Sequence, residues 1–356
     1  MQIGIVGLPN TGKTSLFNTI TRSHAAVGAY PFTTVEPNQG TAHVPDSRLQ
    51  ALATIFDPKK ITPATVEFVD IAGLAPGASK GEGLGNKFLA QIREVDAIVH
   101  VVRCFTLAEE PDNPVNALND AETMEMELIL SDLQSVGKQI HKAGRPVKKG
   151  DNAPKWTLEE LKALEAHLSD GQPGRTLALG AENRRELFLL TDKPVIYAAN
   201  VSEAFVAGGS PEADKLRAAL PEGTHVLEIA AAIEAELADL EEDEAKEFMA
   251  DLGLAEPGLN RLIQHGYDLL GLMSFLTAGR DEVRAWSIRK GTRAQDAARE
   301  IHSDIARGFI RAEIISFDDL MATGSWAAAK EKGQARLEGR DYIMLDGDVV
   351  NFRFQV

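Results

Sequence analysis

The sequence predicts an α/β fold, with a helical insertion and a small C-terminal domain attached to it, and three observations support this prediction. Short β-branched runs at 65–70, 97–102, 195–199 and 225–230 mostly precede helical patterns, which is typical of a largely parallel sheet covered by helices. No strand pattern appears between about 109 and 190. From Arg280 onward 13 basic and 13 acidic residues balance, so the preceding chain carries the whole net charge of −16.

The composition excludes several classes of protein. A chain of 356 residues with 44% hydrophobic and 25% charged residues is neither disordered nor fibrous. Its single cysteine, Cys104, excludes an internal disulfide and a cysteine-rich zinc site. No apolar run approaches the ~20 residues that span a bilayer, and MQIGIVGLPN does not resemble a signal peptide. We therefore expect a cytoplasmic protein with no membrane or DNA partner.

The first predicted element is a strand, a glycine-rich turn and a helix. The turn Gly7–Thr14 reads GLPNTGKT and fits G-x-x-x-x-G-K-[ST] between an apolar run at 3–6 and a helical pattern from Leu16. Main-chain N–H groups of such a turn surround phosphate oxygens, and the helix N-terminus adds partial positive charge. We expect Lys13 to reach the β- and γ-phosphates and Thr14 to ligate Mg²⁺.

Two later segments indicate a nucleotide switch rather than a kinase. Asp70 ends the predicted strand TVEFVD and begins Asp-Ile-Ala-Gly. An aspartate there can hold the Mg²⁺ water shell, and the N–H of Gly73 can contact the γ-phosphate. Residues 29–40, AYPFTTVEPNQG, form a loop with two threonines that suits ordering by Mg²⁺ and nucleotide.

The segment Asn200-Val201-Ser202-Glu203 follows the strand pattern VIYAA, where guanine-nucleotide switches carry Asn-Lys-x-Asp. That aspartate accepts two hydrogen bonds from guanine, a donor pair that adenine lacks. Here Val201 replaces the lysine and the longer Glu203 replaces the aspartate, while Asn200 can still bond an exocyclic group. Loss of this bidentate contact with guanine removes much of the preference for a guanine nucleotide. The sequence therefore favours ATP or relaxed specificity over strict GTP binding.

The interval without strands predicts an antiparallel helical hairpin. Ile129, Leu133, Val136 and Ile140 recur at helical spacing, as do leucines from 158 to 168, where Thr157 and Glu160 form a capping box. The narrow apolar stripe predicts a coiled coil exposed along much of its length. At the C-terminal end we predict strands at 286–288, 342–345 and 350–356, a helix through 297–305, and a hairpin at Asp346-Gly347.

Taken together, these motifs resemble the YchF family, the Obg-like ATPases of the translation-factor class. The resemblance rests on the segments GLPNTGKTS, YPFTTVEPN, DIAGLAPGASKGEGLGNKFL, NVSE, IAAAIEAEL, FLTAGRDEVRAW and EGRDYIMLDGDVVNFRF, in family order. It implies a Ras-like P-loop NTPase core at 1–108 and 191–274, a coiled-coil insertion at 109–190 and a β-grasp TGS domain at 275–356. It also implies Mg²⁺-dependent ATP hydrolysis and association with the large ribosomal subunit or whole ribosome.

The resemblance also assigns the site residues. Thr14 and Thr34 become the Mg²⁺ ligands, and Asn200 and Val201, with Glu203 beside them, border the base. The phosphate contacts are Asn10, Thr11, Gly12, Lys13, Thr14 and Ser15. Lys13, Asp70 and Gly73 are the candidate catalytic residues.

The sequence departs from the family pattern or from related switches in four respects. Thr14 and Ser15 exchange the usual serine and threonine, so a hydroxyl remains at each position. Thr33 replaces a frequent cysteine, and the segment TLAEEPDNPVN lacks a frequent histidine, which argues against a thiol switch and a histidine-based mechanism. Leu74 stands where switch GTPases place a water-orienting glutamine, so we expect slow intrinsic hydrolysis.

Other groups leave two interpretations open. Asn10 either helps bind K⁺ beside the phosphates or only braces the loop, and Lys80 and Glu82 either approach the water or lie in a mobile stretch. Basic residues near the predicted hairpin tip and in the C-terminal domain either contact ribosomal RNA or are solvated. They are Lys138, His141, Lys142, Arg145, Lys148, Lys149 and Lys155, and Arg289, Lys290, Arg293, Arg299, Arg307 and Arg311. The acidic run LADLEEDEAKEF is interpreted as a solvated helix face.

Three functional hypotheses follow from the sequence. The first is an ATP-hydrolysing switch that acts with the ribosome. The second is an interaction protein whose shape depends on nucleotide while turnover hardly matters, which Leu74 keeps open. The third is an Obg-type GTPase of ribosome assembly, against which Val201 and Glu203 argue.

Overall fold

The computed structural model of the chain describes residues 1–25, 39–72, 84–106, 114–143, 156–178 and 187–355. Contacts divide the chain into two compact units, residues 1–41 with 67–262 and residues 42–66 with 263–356. The three predicted domain ranges remain a prediction. The contacts group 42–66 and 263–274 with the C-terminal residues, whereas the sequence had placed both segments in the nucleotide-binding domain.

A six-stranded sheet in the order β2-β4-β1-β5-β6-β7 forms the centre of the first unit. Its strands are β1 (Gln2–Val6), β2 (Gln39–His43), β4 (Thr65–Asp70), β5 (Ala97–Cys104), β6 (Val195–Val201) and β7 (Val226–Ile229). The pairs β1/β4, β1/β5, β5/β6 and β6/β7 are parallel. All eight residues of β5 are buried, as in a central strand with both faces covered. The α/β prediction is confirmed.

The helices of this unit follow its strands in part: four of them begin after β1, β4, β6 and β7, and the last two each follow another helix. They are α1 (Lys13–Ala25), α3 (Leu84–Glu94), α6 (Pro211–Ala219), α7 (Ala231–Asp239), α8 (Glu242–Asp251) and α9 (Gly258–Leu269), the last of which runs past residue 262. Parallel strands end at one edge of a sheet, so the segments after β1, β4, β6 and β7 gather there. This edge carries the candidate site.

The insertion contains two helices, α4 (Ala117–Ala143) and α5 (Leu158–Ser169). Thr157 and Glu160 form the predicted capping box at the start of α5. The prediction of a hairpin exposed along much of its length is wrong for the first half of α4, where Met124 and Leu128 pack in the core of the α/β unit. Ile129 and Val136 pack with leucines of α5.

A buried carboxylate fixes α4 to the segment before β6. Asp132 is 1% exposed and accepts hydrogen bonds from the main-chain N–H groups of Leu190 and Thr191 and from the Thr191 hydroxyl, at 2.7–2.9 Å. Burial raises the pKa of Asp132, and these three donors oppose the shift. Because a buried carboxylate must be hydrogen-bonded to be tolerated, this contact anchors the helix.

The second unit contains a mixed sheet in the order β11-β10-β12-β8-β9-β3. Its strands are β3 (Ile61–Thr62), β8 (Leu272–Ala278), β9 (Val283–Arg289), β10 (Phe309–Ser316), β11 (Arg336–Glu338) and β12 (Asp348–Phe354). Its helices are α2 (Ser47–Phe56), α10 (Ala294–Ile301), α11 (Ser303–Arg307), α12 (Phe317–Thr323) and α13 (Trp326–Glu331). Phe275, Phe309 and Phe352 form the centre of its core, beneath α10.

Three sequence predictions for this unit are wrong in detail. Residues 342–345 form no strand and contribute only a bridge from Ile343 to Arg293. Asp346 and Gly347 therefore do not close a hairpin; Asp346 accepts the N–H of Ser274 at 2.9 Å and pairs with Arg48 at 2.7 Å. The predicted single helix is interrupted at His302, the N-cap of α11. Among the described residues, no helix has both the length and the apolar character needed to cross a membrane.

Candidate nucleotide-binding site

The turn between β1 and α1 has the backbone of a phosphate-binding loop. Asn10 and Gly12 adopt positive φ angles of 61° and 89°. A Cβ on Gly7 would overlap with the carbonyl oxygen of Val101, and one on Gly12 would overlap with the side-chain amide of Asn200. Glycine is required at both positions because neighbouring groups leave no space for a side chain. The predicted motif therefore folds in its expected context.

Lys13 lies inside this loop and is 7% exposed. Its Nζ donates to the carbonyl oxygen of Leu8 at 2.7 Å, and the Thr11 hydroxyl donates to the same oxygen at 3.1 Å. Burial lowers the pKa of Lys13, and the negative charge of Asp70 partly opposes this shift. Within the described residues the only hydrogen-bond partner recorded for this buried ammonium group is a carbonyl oxygen, which compensates its charge poorly, so an anion entering the loop is favoured. No sequence motif indicates the role of the Leu8 carbonyl.

Thr14 and Asp70 meet beside this lysine. The Thr14 hydroxyl donates to Asp70 Oδ2 at 3.0 Å, and Asp70 Oδ1 is buried without a hydrogen-bond partner among the described residues. Burial raises the pKa of Asp70, while the Thr14 hydroxyl and the charge of Lys13 oppose the shift. A hydroxyl and an unsatisfied carboxylate oxygen match the hard ligands that Mg²⁺ prefers. Thr34 and Gly73 lie outside the described residues.

Asn200 joins the phosphate-binding loop to the segment after β7. Its Nδ2 donates to the carbonyl oxygen of Thr11 at 3.0 Å, and its Oδ1 accepts the N–H of Ala231 at 3.1 Å. Both ends of the amide are thus occupied by main-chain groups, and the residue is 7% exposed. The assignment of Asn200 to the base stays a prediction; in this structure its side chain braces the loop.

Val201 and Glu203, the two other residues predicted to border the base, lie in different environments. Val201 is 3% exposed and packs in an apolar cluster with Tyr197 and Ala199, so its side chain belongs to the core. The alternation of β6 places these three side chains on one face, a signal already present in the sequence. Glu203 is exposed in the short 3₁₀ turn Glu203–Phe205 that follows β6. Of the two, Glu203 is the side chain available to a ligand.

The described site therefore consists of the loop that follows β1 and of residues at the ends of β4 and β6. Asn10 to Ser15 form the loop and the first turn of α1, with Asn10, Thr14 and Ser15 exposed. Asp70 ends β4, and Asn200 lies near the end of β6. Direct hydrogen bonds connect the loop to both residues. The arrangement can hold a phosphate chain next to a divalent cation.

Comparison with known proteins extends this result to the whole chain. A family model for the YchF-type GTPase C-terminal domain, described as "Protein of unknown function (DUF933)", matches residues 272–355, and one described as "50S ribosome-binding GTPase" matches residues 2–135. The Bacillus subtilis protein named ribosome-binding ATPase YchF is 47% identical over 100% of both chains. Its Escherichia coli O157:H7 namesake is 48% identical over 100% of this chain and 99% of its own.

A solved structure agrees over the same length. The structure of the Schizosaccharomyces pombe YchF GTPase matches with a TM-score of 0.88 at 34% identity, covering 99% of this chain and 97% of that chain. The Ras-like P-loop core and the separate C-terminal part predicted from the sequence are confirmed by these matches. With near-half identity over its full length and the phosphate-binding loop in place, this chain belongs to the YchF family.

Proposed function

We propose that the protein is a Mg²⁺-dependent ATP hydrolase that associates with ribosomes and regulates translation or a stress response. The observation that carries the proposal is the convergence of Lys13, Thr14 and Asp70 on one side of a phosphate-binding loop. The printed name of the full-length relatives, ribosome-binding ATPase, supplies the nucleotide and the partner. Because ribosomes work in the cytoplasm, we propose that location for this protein.

Each residue of the loop has a definite role in this proposal. Lys13 leaves the Leu8 carbonyl for the β- and γ-phosphates and stabilises charge that develops on the transferred group. Thr14 offers its hydroxyl oxygen to Mg²⁺, and Asp70, with its unsatisfied oxygen, orients the water shell. When bound, Mg²⁺ neutralises phosphate charge. Thr34 as second ligand and Gly73 as γ-phosphate contact remain predictions from the sequence.

The base-binding part of the proposal rests on Glu203. Its exposed carboxylate is one methylene longer than the aspartate that reads guanine, and we infer a preference for ATP. Val201 would contribute through its main chain, since its side chain is in the core. K⁺ beside the exposed Asn10 is a further element of the proposal. Leu74 supplies no group that orients water, so hydrolysis without a partner should be slow.

For the ribosome we propose contact with ribosomal RNA through local basic segments, because the net charge of −16 opposes RNA binding over the rest of the surface. Lys138, His141 and Lys142 occupy the last two turns of α4. The adjoining Arg145, Lys148, Lys149 and Lys155 lie outside the described residues. Co-sedimentation with isolated large subunits and with whole ribosomes distinguishes these two binding partners.

One experiment separates the three functional hypotheses. Purified protein is titrated with ATP and with GTP by calorimetry, and turnover is then measured with and without purified ribosomes. An ATP-hydrolysing switch binds ATP more tightly and turns over faster with ribosomes. A tenfold preference for GTP would identify an Obg-type GTPase, and nucleotide binding without turnover in either condition would identify a nucleotide-gated interaction protein.

A further inference from the structure

An open groove lies between α7 and α8 in the first unit, along the acidic run LADLEEDEAKEF. It is a shallow, largely open depression with a volume of about 590 Å³. Leu240, which is 39% exposed, and the half-buried Phe248 form an apolar floor. The remaining lining consists of five carboxylates, Glu236, Asp239, Glu244, Glu247 and Asp251. We call this cavity the acidic groove.

The five carboxylates of the acidic groove are not neutralised by ion pairs with the described part of the chain. Among the described residues no lysine or arginine forms an ion pair with any of them; Lys246, on the same helix, pairs instead with Glu242 and Asp243. Glu236 and Asp239, Glu244 and Glu247, and Glu247 and Asp251 are spaced three or four residues apart. Like charges at this helical spacing destabilise a helix. A cationic occupant would remove this repulsion.

The apolar floor distinguishes the acidic groove from a solvated helix face. Phe248 packs on one side against the buried cluster of the α/β unit and lines the cavity on the other. A small cation would leave Leu240 and Phe248 in contact with water. An occupant with both positive charges and an aliphatic or aromatic side chain would pair with the carboxylates and also cover Leu240 and Phe248. RNA is repelled by five carboxylates and is excluded.

We propose that the acidic groove binds a lysine- and arginine-rich segment of a ribosomal protein, which inserts an apolar side chain between α7 and α8. The choice of partner rests on the ribosome association proposed above, and the charge complementarity selects protein rather than RNA within that particle. This interaction would attach an acidic surface of the chain to basic ribosomal protein, whereas the basic segments of the chain would bind ribosomal RNA.

A cross-linking experiment tests the identity of the occupant in the full-length protein. Cys104 is buried, and burial raises the pKa of its thiol to about 12, so a thiol reagent will modify an added cysteine selectively. Asp239→Cys at the acidic groove and Glu222→Cys on an exposed loop remove the same charge and receive the same photo-cross-linker. After irradiation with purified ribosomes, Asp239→Cys should label ribosomal protein well above the Glu222→Cys control. Labelling of ribosomal RNA, or labelling equal to the control, overturns the proposal.

Charge and floor are tested by co-sedimentation with the same ribosomes. Glu236→Lys with Glu247→Lys should weaken binding roughly tenfold, because like charges then face each other. Glu222→Lys with Asp243→Lys makes the same change in net charge outside the groove and should bind nearly as wild type does. Leu240→Ala should weaken binding as well. Equal loss in both charge variants, or an unchanged Leu240→Ala, overturns the proposal.

The outcome also distinguishes this inference from the proposed function. If wild-type protein hydrolyses ATP and sediments with ribosomes while the groove variants behave as their controls do, only the acidic groove assignment fails. If wild-type protein does not sediment with ribosomes, both proposals fail. The groove variants should keep their ATP turnover without ribosomes, because the residues changed are none of those assigned to the phosphates, the metal or the base.

Discussion

The side-chain amide of Asn200 donates a hydrogen bond to the main-chain oxygen of Thr11, a residue 189 positions earlier, at 3.0 Å. The other end of the same amide accepts the N–H of Ala231. One buried side chain thus fixes the phosphate-binding loop to the segment after β7. The shape of the loop therefore depends on a residue that local sequence assigns to another part of the site.

Replacing Asn200 by aspartate should destabilise the protein and weaken nucleotide binding. A carboxylate cannot donate to Thr11, so a buried carbonyl oxygen loses its partner, which costs about 1–3 kcal/mol. Urea unfolding and ATP calorimetry measure the two effects. Asn18→Asp, on the exposed side of α1, is the matched control and should change little. A wild-type unfolding midpoint in Asn200→Asp would contradict the bracing role.

Loss of the Lys13 ammonium group or the Thr14 hydroxyl should abolish ATP hydrolysis. Both groups act on charge that develops in phosphoryl transfer, where loss of one contact costs about 10²–10³-fold in rate. Lys13→Ala and Thr14→Ala are compared in saturating Mg²⁺ and ATP. Thr14→Ser keeps the hydroxyl and should retain most activity. Turnover of the two alanine variants at the wild-type rate would remove these residues from the site.

The pH dependence of stability should report the buried carboxylate of Asp70. Burial raises the pKa of Asp70 above its usual 3.8, so the folded protein binds this proton more tightly than the unfolded chain does. Without nucleotide, Asp70 should therefore lower the free energy of unfolding as the pH rises from 3.8 through the folded pKa. Asp70→Asn should lack this contribution. Denaturant unfolding from pH 4 to pH 7 measures it, and equal slopes for both proteins would disprove it.

The base preference should respond to Glu203 alone. Glu203→Asp shortens the exposed carboxylate to the length that reads guanine, so affinity for GTP should rise relative to ATP. Competition calorimetry with both nucleotides measures the ratio. Val201→Lys, which would complete the guanine motif, places an ammonium group in the core and tests folding instead. An unchanged ratio in Glu203→Asp would show that the carboxylate does not contact the base.

The basic residues after α4 should contribute to ribosome binding in a salt-dependent way. Lys148→Glu with Lys149→Glu removes up to two phosphate contacts, so co-sedimentation should weaken and its dependence on salt should flatten. Lys162→Glu with Lys215→Glu changes the net charge equally on exposed positions of α5 and α6 and serves as control. Identical salt series for wild type and the Lys148/Lys149 variant would assign these lysines to solvent.

Much of the site could be predicted because its parts are contiguous in sequence. The eight residues Gly7–Thr14 run from the end of β1 into the first turn of α1, and Asp70 directly ends a strand with clear alternation. Local geometry follows from such segments without knowledge of distant contacts. For the same reason the capping box of Thr157 and Glu160 was predicted correctly.

Other features could not be predicted because they depend on distant partners. Nothing near Asn200 in the sequence indicates that Thr11 and Ala231 occupy its amide. Asp346-Gly347 has the composition of a hairpin turn, yet Asp346 bonds Ser274 and Arg48, and tertiary contacts override the local signal. The first half of α4 has the same helical pattern as the second, so sequence alone did not separate its core-facing part.

The C-terminal unit takes one sheet strand and one helix from residues 42–66, and this affects how the protein can be dissected. A fragment that starts at the predicted limit of 275 would begin inside β8 (Leu272–Ala278). A fragment of residues 263–356 would lack β3 beside β9, α2, and the ion pair between Arg48 and Asp346. Its exposed β9 edge would invite pairing with another chain. A soluble isolated module would need residues 42–66 fused to it through a designed linker.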